Sequence, residues 1–308
     1  MPLSSSPVCL IGAPTDVGAG LRGSGMGPAA LRVAGLADAI RAQRRIVFDA
    51  GDLAGPSRPD ASDFSEGLRH APEVVAWNRA VFDAVAAALG RGELPLLMGG
   101  DHSLAVGSIS AVAAHCRQQG RRLQVLWLDA HADANTPATS PSGNLHGMPV
   151  ACLMGQGPAA LTGWSGAPAA LRAQDLAFIG MRSVDAQERL AIDRAGLRMF
   201  DMRHVDERGM RATVYEALQG LDTDTHLHLS FDVDVLDPQD APGVSTPVAG
   251  GPTYREMRLC MEMVADTGRL ASLDVMELNP ARDLRNRSAE VAVDLMRSLF
   301  GASTASRH

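Results

Sequence analysis

Two carboxylates and an imidazole stand at alternate positions in LWLDAHADAN (126–135), straight after the apolar run Val125 to Leu128. In extended chain, positions i, i+2 and i+4 point to one side. Asp129, His131 and Asp133 therefore converge if the strand continues that far. The residues between them are alanines, which do not make the bulky apolar face of an ordinary half-exposed strand. Three other apolar runs end in similar chemistry. LLMGGDHS (96–103) turns on two glycines into Asp101 and His102, with Asp101 and Ser103 also suited to capping a helix. LHLSFDVDVLDP (227–238) puts Asp232 and Asp234 on one face, where two like charges raise each other's pKa unless a cation lies between them. His226 and His228 share that side further back and suit packing or a supporting hydrogen bond better than ligation. LDVMELNP (273–280) supplies Glu277, which alone reads as a loop glutamate.

Together these ends offer His102, Asp129, His131, Asp133, Asp232 and Asp234 as metal ligands, with Glu277 nearby. Four carboxylates and two imidazoles carry too much negative charge for one metal and suit two divalent cations, some carboxylates bridging. With no thiolate in the set, oxygen-rich ligation with some imidazole suits Mn²⁺ best, with Co²⁺, Ni²⁺ or Fe²⁺ as substitutes.

The elements that must position these groups are legible as alternation. Strands are expected at Val8–Ala13, Ile46–Ala50, Pro95–Met98, Leu123–Leu128, Asp175–Gly180, Leu197–Phe200, His226–Phe231 and Leu273–Met276. Helical spacing is expected at Pro28–Ala42, Val74–Leu89, Leu104–Cys116, Arg211–Leu218, Tyr254–Val264 and Ala289–Phe300. Strands apolar on both faces and alternating with helices predict a parallel sheet covered on each side. No linker or internal repeat interrupts residues 1–308, so one domain is expected, with its site at the carboxyl ends of the strands.

Composition narrows the function classes. The 308 residues are 46% hydrophobic, enough for a full core, and carry a net charge of −7, which gives a nucleic-acid partner no electrostatic support. There is no lysine at all, which excludes Schiff-base chemistry and a P-loop lysine. Cys9, Cys116, Cys152 and Cys260 are scattered in apolar contexts and read as reduced core residues. The first residues lack the basic and apolar regions of a signal peptide, and no apolar run approaches about 20 residues. A cytoplasmic protein with no membrane partner is the expectation.

The pieces GGDHS, DAHAD, SFDVDVLDP and MELNP, in this order and spacing, resemble the ureohydrolase family of arginases, agmatinases and formimidoylglutamases. The resemblance runs from IGAPTDVGAG near the N-terminus to the last helix. It implies a three-layer αβα sandwich on a central, mostly parallel eight-stranded sheet, and a dimanganese centre with a bridging hydroxide. Carried over by motif, His102, Asp129, Asp133 and Asp232 would hold one ion and Asp129, His131, Asp232 and Asp234 the other. NTPATSPSGNLHGMPV (135–150) resembles the loop by which the arginine-hydrolysing members read an α-carboxylate, through Asn135, Ser140, Ser142 and Asn144. IGMRSVDAQER resembles the segment that reads the α-amino group, through Asp185 with Glu188 in support. Thr246 lies in a further loop at the substrate.

What the resemblance implies is hydrolysis of L-arginine to L-ornithine and urea. Hydroxide, oriented by Asp133, attacks the guanidinium carbon, Glu277 holds the guanidinium, and His146 protonates the leaving amine. Two positions depart from the family pattern: Ser183, where an acid is common, and Ser245, where Gly is common. The rivals are other guanidino compounds, agmatine, guanidinobutyrate or N-hydroxyarginine; the carboxylate loop argues against decarboxylated substrates such as agmatine and leaves N-hydroxyarginine as an alternative. A non-catalytic relative would lack a ligand, and none is missing. The family's habit also implies a homotrimer or homohexamer, with Arg255 and Glu256 of PTYREM as ion-pair residues between subunits.

Overall fold

The structure is a computed structural model that describes residues 6–59, 64, 65 and 67–304. Eight strands form one sheet: β1 Val8–Gly12, β2 Val47–Asp52, β3 Leu94–Met98, β4 Arg122–Leu128, β5 Leu176–Met181, β6 Arg198–Asp201, β7 Thr225–Asp232 and β8 Leu270–Met276. Their order is β2-β1-β3-β8-β7-β4-β5-β6, and every pairing is parallel. Each strand falls on a run expected from the sequence. The last two strands of the chain insert between the third and the fourth, at the centre of the sheet.

The described helices are α1 Gly27–Val33, α2 Leu36–Arg41, α3 Ala71–Gly90, α4 Ala105–Gln118, α5 Pro149–Leu153, α6 Ala186–Ala195, α7 Met202–Arg208, α8 Met210–Ala217, α9 Tyr254–Asp266 and α10 Arg287–Leu299. They form a layer on each face of the sheet, and this is why the strands read as continuous apolar runs. Val8 and Leu10 of β1 pack with α1, α2 and α8–α10, while Cys9 and Ile11 face α3 and α4. On β4 the split is Leu126 and Leu128 against Val125 and Trp127. In α3 the buried stripe Val74, Trp77, Val81, Val85 and Ala88 advances by three or four residues at each step, as an amphipathic helix requires.

The helix expected over 28–42 is two helices, because Gly35 takes a left-handed φ of 82° and restarts the chain in a new direction. Helices α6 and α7 were not anticipated: α6 buries only Glu188 and Ile192, and α7 only Val205, so neither shows an apolar stripe. The four cysteines are buried and unpaired. Among the described residues, no helix is long and apolar enough to cross a membrane.

Candidate active site

The four strands that end in acid and imidazole, β3, β8, β7 and β4, are consecutive at the centre of the sheet. Their carboxyl ends therefore meet in one place. At the end of β3 the chain must pass close to its neighbours: a Cβ on Gly100 would collide with the carbonyl of Thr15, and one on Gly99 with the sulfur of Met276. Asp101 is buried and accepts the amide N–H groups of Gly18 (2.8 Å) and Ser103 (3.0 Å), the second as a cap. This fixes the turn that delivers His102.

Strand alternation alone does not bring the ligands together. β4 stops at Leu128, and His131 makes only an isolated bridge to Ser183. Asp133 has φ of 49° and Glu277 φ of 60°, left-handed values that a residue with a side chain rarely adopts. β7 ends at Asp232, and a 3₁₀ turn over Val233–Val235 carries Asp234. Tight turns thus finish what the strands begin, and two of the carboxylates ride on strained backbone.

The result is a compact cluster. Nδ1 of His102 lies 2.9 Å from Asp232 Oδ2, 3.2 Å from Asp129 Oδ2 and 3.3 Å from Asp133 Oδ2. Nδ1 of His131 lies 3.1 Å from Asp234 Oδ2 and 3.5 Å from Asp129 Oδ1. Two groups that could each hold a metal ion result, His102–Asp129–Asp133 and Asp129–His131–Asp234, sharing Asp129. Asp232 joins the first set through His102 and the second through the amide N–H of Asp234, which it accepts at 2.7 Å.

The electrostatics describe a site that needs cations. Burial, with Asp129 as the next cause, pushes the carboxyls of Asp133 and Asp234 up; burial and Asp234 do the same to Asp232. Burial opposes a charge on His102, but Asp129 and Asp133 outweigh it and lift the ring to about 9. Asp234 and Asp129 likewise overcome burial and lift His131 to about 12. Asp129 is held low despite its burial, by hydrogen bonds to the two imidazoles. Protons here do the charge balancing that divalent cations supply to such a donor set.

Three supporting residues were not singled out from the sequence. Ser230 Oγ lies 2.9 Å from His102 Nε2, which leaves Nδ1 to face the carboxylates. Trp127 stacks on the His102 ring at 4.4 Å and donates its indole N–H to Asp129 Oδ2 at 2.9 Å. Each stands two residues before a ligand on the same face, so the alternation that located the ligands could have located these too. Arg182 had no such signal. It donates to the carbonyls of Gly180, Asp234, Val235, Leu236 and Val248 and ties the Asp234 turn to β5.

A cavity of about 220 Å³ opens over the cluster. Of the other expected residues, Asn135, His146, Asp185, Glu188, Thr246 and Glu277 line it; Ser140, Ser142 and Asn144 do not. Ser140 and Ser142 instead accept the amide N–H groups of Gly143 and Asn144, shaping their own loop. Asn135 Nδ2 donates to Asp185 Oδ2 at 2.9 Å, and Thr246 Oγ1 to Asp234 Oδ2 at 3.0 Å. Asp185 caps α6 and Glu188 closes the box, its other oxygen accepting from Ala134 N–H. Ser183, flagged as a departure, lines the cavity beside them. Glu277 Oε1 accepts the amide of His102 and faces His146 Nδ1, both at 3.0 Å. Oε2 of Glu277 is buried with no partner among the described residues. Arg255 is exposed, and Glu256 is engaged in the capping box of α9 with Thr253.

The model of the Arginase family matches residues 6–301. An arginase of Bacillus caldovelox is 42% identical over 297 residues, covering 96% of this chain and 98% of the relative. The solved native structure of the arginase from Bacillus caldovelox superposes with a TM-score of 0.90 at 40% identity, over 97% of this chain and 100% of that one. The arginase of Entamoeba histolytica, solved in complex with L-ornithine, superposes at 0.87 with 30% identity, over 98% of this chain and 100% of that one.

Proposed function

The chain belongs to the arginase family of hydrolases, and on that premise we propose that it converts L-arginine and water to L-ornithine and urea. The observation that carries the reading is the double cluster sharing Asp129 beneath a cavity that Asn135 and Asp185 also line. We assign the cluster to two Mn²⁺ ions. His102, Asp129, Asp133 and Asp232 would hold one, and Asp129, His131, Asp232 and Asp234 the other. When bound, such ions lower the pKa of water toward neutrality and supply Lewis acidity.

The remaining work falls to side chains. Glu277 receives the guanidinium: its unpartnered buried Oε2 is an acceptor that costs about 1–3 kcal/mol to leave unsatisfied, and a guanidinium N–H satisfies it. Asp133 orients the attacking water. His146 is the acid for the leaving amine. Burial disfavours its charge, but Glu277 more than compensates and raises its pKa. When the substrate guanidinium engages Glu277, the imidazole loses part of that support and becomes a better proton donor to the ornithine nitrogen. Asp185 meets the α-ammonium and Asn135 the α-carboxylate; both bear on the cavity and on each other. Glu188 and Thr246 hold this wall and the Asp234 turn in place. Ser140, Ser142 and Asn144 act by shaping the carboxylate loop. Arg255, exposed on α9, remains available for an ion pair in a homotrimer or homohexamer.

The test is product stoichiometry. Protein loaded with Mn²⁺ should release urea and ornithine in equal amounts from L-arginine. Ornithine without urea, or citrulline with ammonia, would refute the reaction type.

A further inference from the structure

A second cavity, of about 390 Å³, opens at the other end of the sheet, where the strands begin. Its lining includes Arg121, Arg269, His115, His226 and Glu93. The two arginines have no carboxylate partner among the described residues: Arg121 reaches only the carbonyls of Asp224 and Thr225, and Arg269 that of Thr223. Glu93 does not neutralise them, because both its oxygens are taken by Arg91, at 3.0 and 2.7 Å. Two guanidinium groups beside two imidazoles, with the one carboxylate already engaged, make a seat for an anion.

The floor of the cavity refines which anion. His226 is 2% exposed, and its Nε2 lies 2.8 Å from Ser272 Oγ. The same Oγ lies 2.8 Å from Nδ1 of His228, whose Nε2 lies 3.1 Å from Asp274 Oδ2. The other oxygen of Asp274 accepts the hydroxyl of Ser108 at 2.6 Å. This column has a direction. A carboxylate accepts, so Nε2 of His228 donates to Asp274, and in the neutral ring Nδ1 accepts from Ser272. Ser272 then accepts from Nε2–H of His226. Nδ1 of His226, which has no partner in the described chain, is left with a lone pair. Burial keeps that ring neutral, its pKa lowered to about 3.

We propose that this cavity binds an oxyanion that carries its own hydroxyl at neutral pH, hydrogen phosphate. Its charged oxygens lie on Arg121 and Arg269, and its P–OH is donated to His226 Nδ1. Sulfate, which has no proton at neutral pH, meets the same arginines but sets oxygen against the lone pair. The discrimination should be at least about ten-fold, the worth of one well-made hydrogen bond.

The experiment is calorimetric titration of the metal-loaded full chain at neutral pH with inorganic phosphate and with sulfate. It is run on the wild type and on Arg121→Gln/Arg269→Gln. Anion binding at the metal centre is common to both proteins, so the difference isolates the cavity. The expected result is a saturable phosphate event in the wild type that the double variant lacks, with sulfate about ten-fold weaker or worse. Identical isotherms for the two proteins would overturn the site. Sulfate binding as tightly as phosphate would overturn the proton arrangement on which the proposal rests. Should the double variant melt early, exposed Arg121→Gln alone gives the same comparison.

Discussion

Nδ1 of His146 and the amide N–H of His102 converge on a single oxygen of Glu277, each at 3.0 Å, while the second oxygen of Glu277 is buried and unpartnered. One carboxylate thus joins the proposed acid to the metal-binding turn and keeps an acceptor for the substrate. Glu277→Gln keeps the shape and removes the charge that a guanidinium needs. Arginine kcat/KM should fall by about two to three orders of magnitude with the metal content unchanged. His146→Ala should lower kcat by about 10²–10⁴, again with the metals retained. Loss of metal from His146→Ala would show that the imidazole holds the centre together, and the assignment as acid would fall.

Asp185 has two jobs that substitution can separate. It caps α6, accepting from Gln187 and Glu188 N–H, and it faces the cavity. Asp185→Asn keeps a capping oxygen but drops the charge. KM for arginine should rise about ten-fold while the melting temperature holds. Asp185→Ala should add about 1 kcal/mol of destabilisation. An unchanged KM in both would remove Asp185 from substrate recognition.

Metal removal should carry a pH signature. Without metal, His102 is raised to about 9 and His131 to about 12, against an unfolded value near 6.5. A raised imidazole stabilises the fold fully below the unfolded pKa, and the benefit is lost as pH climbs through the folded pKa. Chelated protein should therefore lose stability from pH 6.5 to 9. Bound metal needs deprotonated ligands and strengthens over the same range. Melts with and without chelator should diverge as pH rises; parallel curves would mean that the cluster does not exchange protons for metal.

His226 behaves in the opposite sense. Its ring is neutral when folded and takes a proton when unfolded, so stability falls as pH drops from about 6.5 toward 3. Between pH 6.5 and 5.5 the cost is about 1 kcal/mol. In chelated protein, His226→Gln should flatten this limb relative to wild type. Equal slopes in denaturant titrations at the two pH values would place the burden on other groups.

How much of this was legible depended on whether the information was local. Runs such as VLWL and LHLSF announced the strands, and the acids that follow them announced the ligands. That β3 and β8 lie side by side, with Glu277 accepting from His102 across 175 positions, is a matter of topology that no local pattern encodes. The left-handed turns at Asp133 and Glu277 were hidden for a related reason: only the assembled site holds a non-glycine residue there. Ser140 and Ser142 carry the right chemistry in the right loop, yet their hydroxyls are spent on that loop's own amides. His226 and His228 read as packing or support, and the structure places them in a buried column of their own, away from the ligand cluster.

The most direct measurement is urea release from the Mn²⁺-loaded protein with L-arginine and agmatine side by side, against a chelator-stripped control. Urea from arginine, little or none from agmatine, and none after stripping is the predicted result. It would support the metal cluster and the α-group wall together. Urea chiefly from agmatine would keep the metal chemistry and contradict the roles given to Asn135 and Asp185. Full activity after stripping would contradict the account at its centre.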